Sequence, residues 1–343
     1  MTSSGGERRP AYGTKVRGIA LGAALALGVG GLTVLGTQAA PITEASYFQA
    51  APAKPAAAPL TPCTLRRSGM ATVDVGGRPA TMYVPAKAVG RGRVPTMVLL
   101  HGTGGSGKQQ IEASKLTSTA DRFGFSIIAP DGAIKFRKGH AWNVPGVPLV
   151  GGHWPARSAQ NDIGYVSRVI DTMIGSGCAD PKRVYLGGFS GGARMASAYA
   201  CAQADKIAAI APVSGLRAGL PGAHGLPRPA SCQPREPVSV FAVDGTGDHT
   251  NPYHGGGQKY WGYGVLTAFN EWARLDRCGT RLPPIPLTPK ASLLTAENCA
   301  RQTRVQLLRI DGGKHQWPLR TAKVDPELNV NDLMWLSLSQ VHR

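Results

Sequence analysis

The sequence predicts an α/β fold built on a mainly parallel central sheet with helices on both faces. Short apolar runs rich in β-type residues recur from about residue 96 onward, and helix-like stretches lie between them. Glycine-rich turns follow several of the apolar runs. Strands that alternate with helices form parallel sheets, and in such sheets the chemistry collects at the carboxyl ends of the strands.

Six strands are predicted from their apolar, β-branched composition. They cover Thr96–Leu100, Phe125–Ala129, Arg183–Leu186, Lys206–Val213, Val238–Val243 and Arg304–Ile310. Five helices are predicted between or after them, over Gln109–Phe123, Asn161–Ile174, Ala193–Gln203, Val265–Leu275 and Val330–Val341. In the second helix Ile163, Val166, Ile170 and Ile174 share one face, as expected for a helix packed on a core. Asp162, at the start of that helix, is interpreted as a cap and not as a catalyst.

The first forty residues indicate export. A basic stretch that ends at Arg17 precedes an apolar run from about Ile19 to Leu35, and small residues follow up to Ala40. This order predicts a secretory signal peptide over residues 1–40, with an uncleaved membrane anchor as the alternative. The Ala/Pro-rich residues 41–62 are interpreted as an extended linker, and residues 63–343 as a single catalytic domain. We therefore expect a secreted protein, attached to a membrane only if the signal is not cleaved.

Six cysteines, all beyond the predicted signal, fit an oxidising compartment. Fifteen pairings are possible in principle, and sequence alone does not choose among them. Closure of sequential loops favours the pairs Cys201–Cys232 and Cys278–Cys299, which leaves Cys63 with Cys178. No two cysteines have the close spacing of a zinc site, and we expect neither a metal nor a cofactor.

The net charge of +18 gives the chain a basic surface that attracts anionic polymers in general. Its Lys and Arg residues are scattered, and no nucleic-acid-reading motif accompanies them. We therefore interpret the charge as a solvated basic surface and expect no nucleic-acid partner. Hydrophobic residues make up 42% of the chain, enough for a sizeable core, and we expect a monomer.

The strongest chemical signal is the sequence Gly188-Phe189-Ser190-Gly191-Gly192, a G-x-S-x-G pattern. It follows a predicted strand and opens a predicted helix, the context in which this pattern presents a nucleophilic serine. The turn is tight, so side chains at the flanking glycines would crowd the strand and the helix. Ser190 is therefore the predicted nucleophile, and the N–H of the next residue, Gly191, the predicted oxyanion donor.

A second glycine-rich loop, residues 101–109, follows the first strand and permits two interpretations. Gly102, Gly107 and Lys108 match a phosphate-binding loop, but Gln109 stands where Ser or Thr would ligate Mg²⁺. Export also argues against a nucleotide-binding protein. We prefer an oxyanion loop in which Thr103 donates its N–H, with Gly104 as the neighbouring possibility.

A nucleophilic serine needs a histidine base and a carboxylate that fixes the tautomer of that histidine. His315 follows the last predicted strand and is the predicted base. Asp244 and Asp248 both follow the strand Val238–Val243 and are the candidate acids. We prefer Asp248, because the small residues before it allow the loop to reach His315. Asp244 is then a structural residue of the turn.

These segments together resemble the polyhydroxybutyrate depolymerase and feruloyl esterase-like family of secreted esterases. The similarity lies in Leu100–Ser106, Arg183–Gly192, Asp244–Gly256 and Gly312–Pro318, and it extends over most of residues 63–320. It implies an α/β-hydrolase fold and places the family's catalytic aspartate on Asp248 and its histidine on His315. Asp244 stands where relatives commonly carry His, which is a departure from the family pattern.

The resemblance implies a serine esterase that acts on short-chain hydroxyalkanoate or related polyester or oligomer esters. Feruloyl or acetyl xylan esters are the alternative substrates, and a non-catalytic cell-wall or polymer-binding protein on the same scaffold is the alternative of another class. Because no substrate-binding domain is appended, we expect soluble or short-chain esters to be preferred. His101 and Trp317 are the predicted substrate contacts, and Trp154 is a weaker candidate.

Overall fold

The structure is a computed structural model that describes residues 67–319 and 328–343. The predicted signal peptide, the predicted linker and Cys63 lie outside the described residues, so they stay predictions. Within the described ranges, no helix is long and apolar enough to cross a membrane. The same ranges contain the three predicted catalytic side chains and both predicted oxyanion donors.

Eleven strands form one sheet around which the helices pack. In chain order they are β1 (Gly69–Asp74), β2 (Pro79–Val84), β3 (Val94–Leu100), β4 (Ser126–Pro130), β7 (Ala179–Phe189), β8 (Ala209–Val213), β9 (Ser239–Gly245), β12 (Thr280–Arg281), β13 (Ile285–Thr288), β14 (Ala291–Glu297) and β15 (Val305–Ile310). Two small hairpins lie apart from it, formed by β5 (Ile134–Phe136) with β6 (Gly139–Ala141), and by β10 (Gly255–Gly256) with β11 (Gly262–Tyr263).

The centre of the sheet is parallel and its edges are antiparallel. The order β4-β3-β7-β8-β9-β15 runs parallel throughout, and these six strands are the ones that the sequence predicts. Strands β1 and β2 add an antiparallel edge on one side, and β14 with β12 and β13 adds another. The predicted mainly parallel α/β architecture is therefore confirmed.

Six α-helices accompany the sheet. They are α1 (Gly107–Ser114), α2 (Leu116–Phe123), α3 (Asp162–Gly175), α4 (Gly191–Gln203), α5 (Val265–Leu275) and α6 (Val330–Leu338). The single helix predicted over Gln109–Phe123 is wrong, because Lys115 takes a left-handed backbone with φ of 53° and separates α1 from α2. The strand predicted from Lys206 starts three residues later, because residues 204–206 form a 3₁₀ turn.

The buried side chains lie on both faces of the sheet, as a parallel centre requires. Along β3, Val98 and Leu100 enter one apolar cluster, together with residues of α3, α4 and α5. Met97 and Leu99 enter the other cluster, together with residues of α1, α2 and α6. Each fully buried leucine contributes roughly 1.5–3 kcal/mol relative to an exposed one. Burial on both faces holds the central strands in place, and these strands include β3, β7, β9 and β15. The loops at their carboxyl ends are therefore anchored to a rigid sheet.

Within the described residues, two disulfide bonds connect segments outside the central strands. Cys201 of α4 is bonded to Cys232, and Cys278, just after α5, is bonded to Cys299. Both pairs are the ones favoured by sequential loop closure. The third predicted pair includes Cys63, which lies outside the described residues.

Candidate active site

Ser190 occupies a sharp turn between β7 and α4. Its backbone has φ of 53° and ψ of −111°, a conformation that a residue with a side chain adopts only under strain. Such strain costs roughly 1–3 kcal/mol and persists where the surroundings enforce it. Here the Ser190 N–H donates to the carbonyl of Val213 at 2.9 Å, which ties the turn to the end of β8. The turn therefore holds the hydroxyl at the carboxyl edge of the sheet.

The two flanking glycines are required by close backbone approach. A Cβ at Gly188 would lie 2.5 Å from the carbonyl group of Gly192, and one at Gly192 would lie 2.3 Å from the carbonyl oxygen of Leu100. Both distances are far inside van der Waals contact, and backbone atoms cannot move aside as a flexible side chain can. The steric interpretation of the G-x-S-x-G pattern thus agrees with the geometry.

Three predicted residues meet in one hydrogen-bonded chain. The Oγ of Ser190 lies 2.8 Å from Nε2 of His315, and Nδ1 of His315 lies 2.7 Å from Oδ2 of Asp248. Asp248 is buried, and its other carboxylate oxygen accepts the N–H groups of Thr250 and Asn251 at 2.8 and 2.9 Å. These bonds satisfy the carboxylate and leave Oδ2 aimed at the imidazole.

The loops that carry Asp248 and His315 are joined by backbone hydrogen bonds. Thr246 N–H donates to Ile310 O and Gly247 N–H donates to Gly313 O, both at 2.9 Å. In return, Gly312 N–H donates to Oγ1 of Thr246 at 2.8 Å. Because β9 and β15 are neighbouring parallel strands, their following loops emerge side by side. The pairing of the two strands therefore brings the acid to the base.

Asp244, the alternative acid, does not contact His315. It is buried at the end of β9 and accepts the backbone N–H groups of Gly215 and Leu216. Burial and the nearby Asp248 carboxylate raise the pKa of Asp244 well above its ordinary value. Its place in the structure is that of a turn-holding residue.

Two backbone N–H groups flank the nucleophile. Gly191 begins α4, so its N–H belongs to the positive end of the helix dipole. A Cβ on Gly191 would lie 3.2 Å from the backbone nitrogen of Thr103, which shows how closely the two loops approach. Gly104, the alternative donor, already gives its N–H to the carbonyl of His140 at 2.7 Å. Thr103 and Gly191 are thus adjacent at the serine.

The predicted substrate contacts of His101 and Trp317 do not fit their positions. His101 is 1% exposed; its Nδ1 donates to Gly102 O at 2.8 Å and its Nε2 accepts the N–H of Gly132 at 2.9 Å. Burial lowers the pKa of His101 to about 4, which favours this neutral form. Trp317 is buried and donates its indole N–H to Asn331 at 2.9 Å. Both residues hold loops, and Trp154 is an exposed surface residue.

The phosphate-loop alternative also fails on geometry. The Gly107 N–H, at the start of α1, donates to the carboxylate of Asp131 at 2.6 Å, so an acid occupies the place that a phosphate would need. Lys108 lies on the surface beside Glu112 at 3.5 Å. Within the described ranges, no group of three or more His, Cys, Asp or Glu side chains is placed to hold a metal ion.

A pocket opens beside the two candidate oxyanion donors. Its apolar wall comes from residues 142–150, which the sequence leaves as an unassigned loop, and includes Trp142 and Val147. Arg194, one helical turn after the nucleophile, also lines it. Sequence reasoning missed these three residues. An arginine in the first turn of a helix, where the dipole disfavours a cation, is the one signal that could have drawn attention to Arg194.

The sheet order, the nucleophile turn and the loops at the strand ends define the class of protein as an α/β-hydrolase. An acetyl xylan esterase from Aspergillus awamori has a similar solved structure, with a TM-score of 0.55 and 15% sequence identity over 79% of this chain and 99% of that one. At this identity the likeness concerns the fold alone. The predicted α/β-hydrolase fold is confirmed.

Sequence comparison identifies the family and the individual proteins to which the chain is similar. Residues 79–225 match the model of a family described as esterase PHB depolymerase. Over 244 residues the chain is 29% identical to feruloyl esterase B from Piromyces equi, covering 69% of this chain and 42% of that protein. Over 241 residues it is 28% identical to a bifunctional acetylxylan esterase/xylanase from Neocallimastix patriciarum, covering 70% of this chain and 31% of that protein.

The chain thus spans less than half the length of these two relatives. The predicted resemblance to the polyhydroxybutyrate depolymerase and feruloyl esterase-like family is confirmed. Both relatives are named as esterases.

Proposed function

We propose that this protein hydrolyses carboxylic esters through an acyl-enzyme formed on Ser190. One observation carries the proposal: the hydrogen-bonded chain from Ser190 through His315 to Asp248, with spacings of 2.8 and 2.7 Å. A histidine within hydrogen-bond reach of a serine can take its proton, and a carboxylate on the far nitrogen holds the required tautomer. The site stands at the carboxyl edge of the sheet, beside a pocket that Thr103 and Gly191 also line.

In the first half-reaction the Ser190 Oγ attacks the ester carbonyl carbon while Nε2 of His315 takes the hydroxyl proton. The negative charge that develops on the carbonyl oxygen is held by the N–H groups of Thr103 and Gly191. The tetrahedral intermediate then collapses, His315 gives its proton to the leaving alkoxide, and the alcohol departs. Asp248 accepts the Nδ1–H throughout and stabilises the imidazolium.

In the second half-reaction water takes the place of the alcohol. His315 removes a proton from the water, whose oxygen attacks the acyl carbon, and the same two N–H groups hold the oxyanion. Collapse breaks the bond between the acyl group and Ser190, and His315 returns the proton to Oγ. The products are the free acid and the regenerated serine.

Short-chain hydroxyalkanoate or related oligomer esters are the proposed substrates, supported by the match to the esterase PHB depolymerase family. The names of two relatives give feruloyl and acetylxylan esters as the alternatives. The chain is proposed to act outside the cell. Its two disulfide bonds support this, since disulfides persist in oxidising compartments.

The test is hydrolysis of p-nitrophenyl acetate and butyrate by the wild type, Ser190→Ala and His315→Ala. Either substitution should lower kcat by about 10⁴-fold or more. His249→Ala is the matched control, because His249 is exposed on the acid loop next to Asp248 and should be dispensable. Unchanged hydrolysis by Ser190→Ala would disprove the assignment.

A non-catalytic polymer-binding protein on the same scaffold makes the opposite prediction for covalent labelling. An esterase with this site should react with a fluorophosphonate probe at Ser190 alone, and a binding protein should not react. A panel of feruloyl, acetyl and hydroxybutyrate esters then ranks the substrates of the labelled enzyme.

A further inference from the structure

Arg194 is a buried cation that forms no ion pair within the described residues. Its side chain is 4% exposed, and burial lowers the pKa of the guanidinium to about 10. Its Nε has no hydrogen-bond partner, and no carboxylate forms an ion pair with it anywhere in residues 67–319 or 328–343. The guanidinium lies over the ring of Tyr260, whose centroid is 4.0 Å from the guanidinium carbon. An uncompensated buried charge is among the costliest features that a fold can keep.

Arg217, which is equally buried, shows what a structural arginine looks like in this molecule. All three of its guanidinium nitrogens donate to backbone carbonyls, those of Leu216, Trp261 and Tyr263. It also lies over the rings of Trp261 and Tyr263 and near the carboxylate of Asp244. The fold therefore gives every guanidinium nitrogen of Arg217 a carbonyl partner, and it leaves the Nε of Arg194 without one.

The position of Arg194 relates it to the nucleophile. Arg194 is four positions after Ser190, so it lies on the same face of α4 about 6 Å farther along the axis. Helical side chains lean toward the N-terminus of the helix, here toward the reacting serine. Arg194 lines the same pocket as Thr103 and Gly191. It also lines a second pocket, together with Val144, Val147 and Tyr260.

We infer that Arg194 binds a carboxylate of the substrate, so that the preferred ester carries a free carboxylate a few bonds from its scissile carbonyl. This inference rests on the proposed esterase function and specifies its substrate class. The planar guanidinium matches a carboxylate in two parallel hydrogen bonds. Val147 and Leu149 contribute apolar side chains to the same lining, beside which a short aliphatic segment between the two groups can lie.

The substrate carboxylate can lie on the acyl side or on the alcohol side of the ester. Two matched pairs of substrates distinguish these two positions. The first pair is p-nitrophenyl butyrate and mono-p-nitrophenyl succinate, which differ by a carboxylate on the acyl chain. The second is methyl 3-acetoxybutyrate and free 3-acetoxybutyrate, which differ on the alcohol side. We expect the wild type to prefer the anionic member of one pair by about 10- to 100-fold in kcat/KM, the effect of a charge-assisted hydrogen bond.

Arg194→Met should abolish that preference, and Arg194→Lys should retain part of it. Arg168→Met removes the same charge from the exposed surface of α3 and should retain all of it. If Arg194→Met does not fold, the inference is tested by the ratio of kcat/KM for the anionic and neutral esters in the wild type and in Arg194→Lys. The inference is overturned if the wild type hydrolyses the neutral member of both pairs at least as well, or if Arg194→Met keeps the preference. Failure of the proposed function looks different, because fluorophosphonate labelling and hydrolysis of every ester would be absent.

Discussion

Replacing Asp248 by Asn tests the assignment of the acid with little change in shape. The amide oxygen of Asn can still accept the N–H groups of Thr250 and Asn251, so the loop should stay folded. The amide nitrogen would face Nδ1 of His315, 2.7 Å away in the wild type, and donate to it. The imidazole would then carry its proton on Nε2, which faces Ser190 Oγ and can no longer accept from it.

The expected loss is about 10⁴-fold in kcat, the cost of holding the base in the wrong tautomer, and it corresponds to about 5.5 kcal/mol of activation free energy. The assay is steady-state hydrolysis of p-nitrophenyl acetate, with thermal unfolding to show that the variant is folded. Asp244→Asn is the matched control, because Asp244 binds backbone N–H groups and does not contact His315. A loss below tenfold in Asp248→Asn, or a larger loss in Asp244→Asn, would refute the reasoning.

Two further predictions concern stability. Gly192→Ala would place a Cβ 2.3 Å from the Leu100 carbonyl oxygen, and the steric cost of about 1–3 kcal/mol should exceed the gain of about 1 kcal/mol from helix propensity. The control is Gly175→Ala, which adds a methyl group in open space at the end of α3 and should be neutral or stabilising. Equal shifts of the thermal unfolding temperature in the two variants would contradict this prediction. Burial raises the pKa of Asp276 from 3.8 to about 7, so this carboxyl stabilises the fold below pH 3.8 and loses its contribution, on the order of 4 kcal/mol, as the pH rises through 7. Asp276→Asn should therefore weaken the fall in urea stability between pH 4 and pH 8, and an identical fall would count against it.

The parallel centre of the sheet was predictable because its strands are buried on both faces and read as continuous apolar runs. The antiparallel strands at the edges of the sheet were not predictable from the sequence. Strand β1 is largely exposed, and β12 has only two residues, so neither leaves a clear pattern in the sequence. The break at Lys115 was missed for a similar reason, since a left-handed lysine has no compositional marker.

The meeting of Ser190, Asp248 and His315 was predictable from the sequence, because each residue follows an apolar run and stands in a glycine-rich segment. His101 and Trp317 were misread because proximity in sequence does not fix where a side chain points. Both stand beside site residues, yet each turns inward to hydrogen-bond partners, His101 to Gly132 and Trp317 to Asn331. Their partners come from other parts of the chain, which local pattern does not reveal.

The sequence by itself determined the class of fold, the nucleophile turn and the order of the three polar groups, because short-range sterics and hydrophobic periodicity encode them. Tertiary structure decided which aspartate meets the histidine, through the pairing of β9 with β15. Tertiary structure also decided which of the two buried arginines has a hydrogen-bond partner for each guanidinium nitrogen. Arg194 and Arg217 are both buried, and only the long-range arrangement of carbonyls distinguishes them: all three guanidinium nitrogens of Arg217 donate to carbonyls, whereas the Nε of Arg194 has no partner.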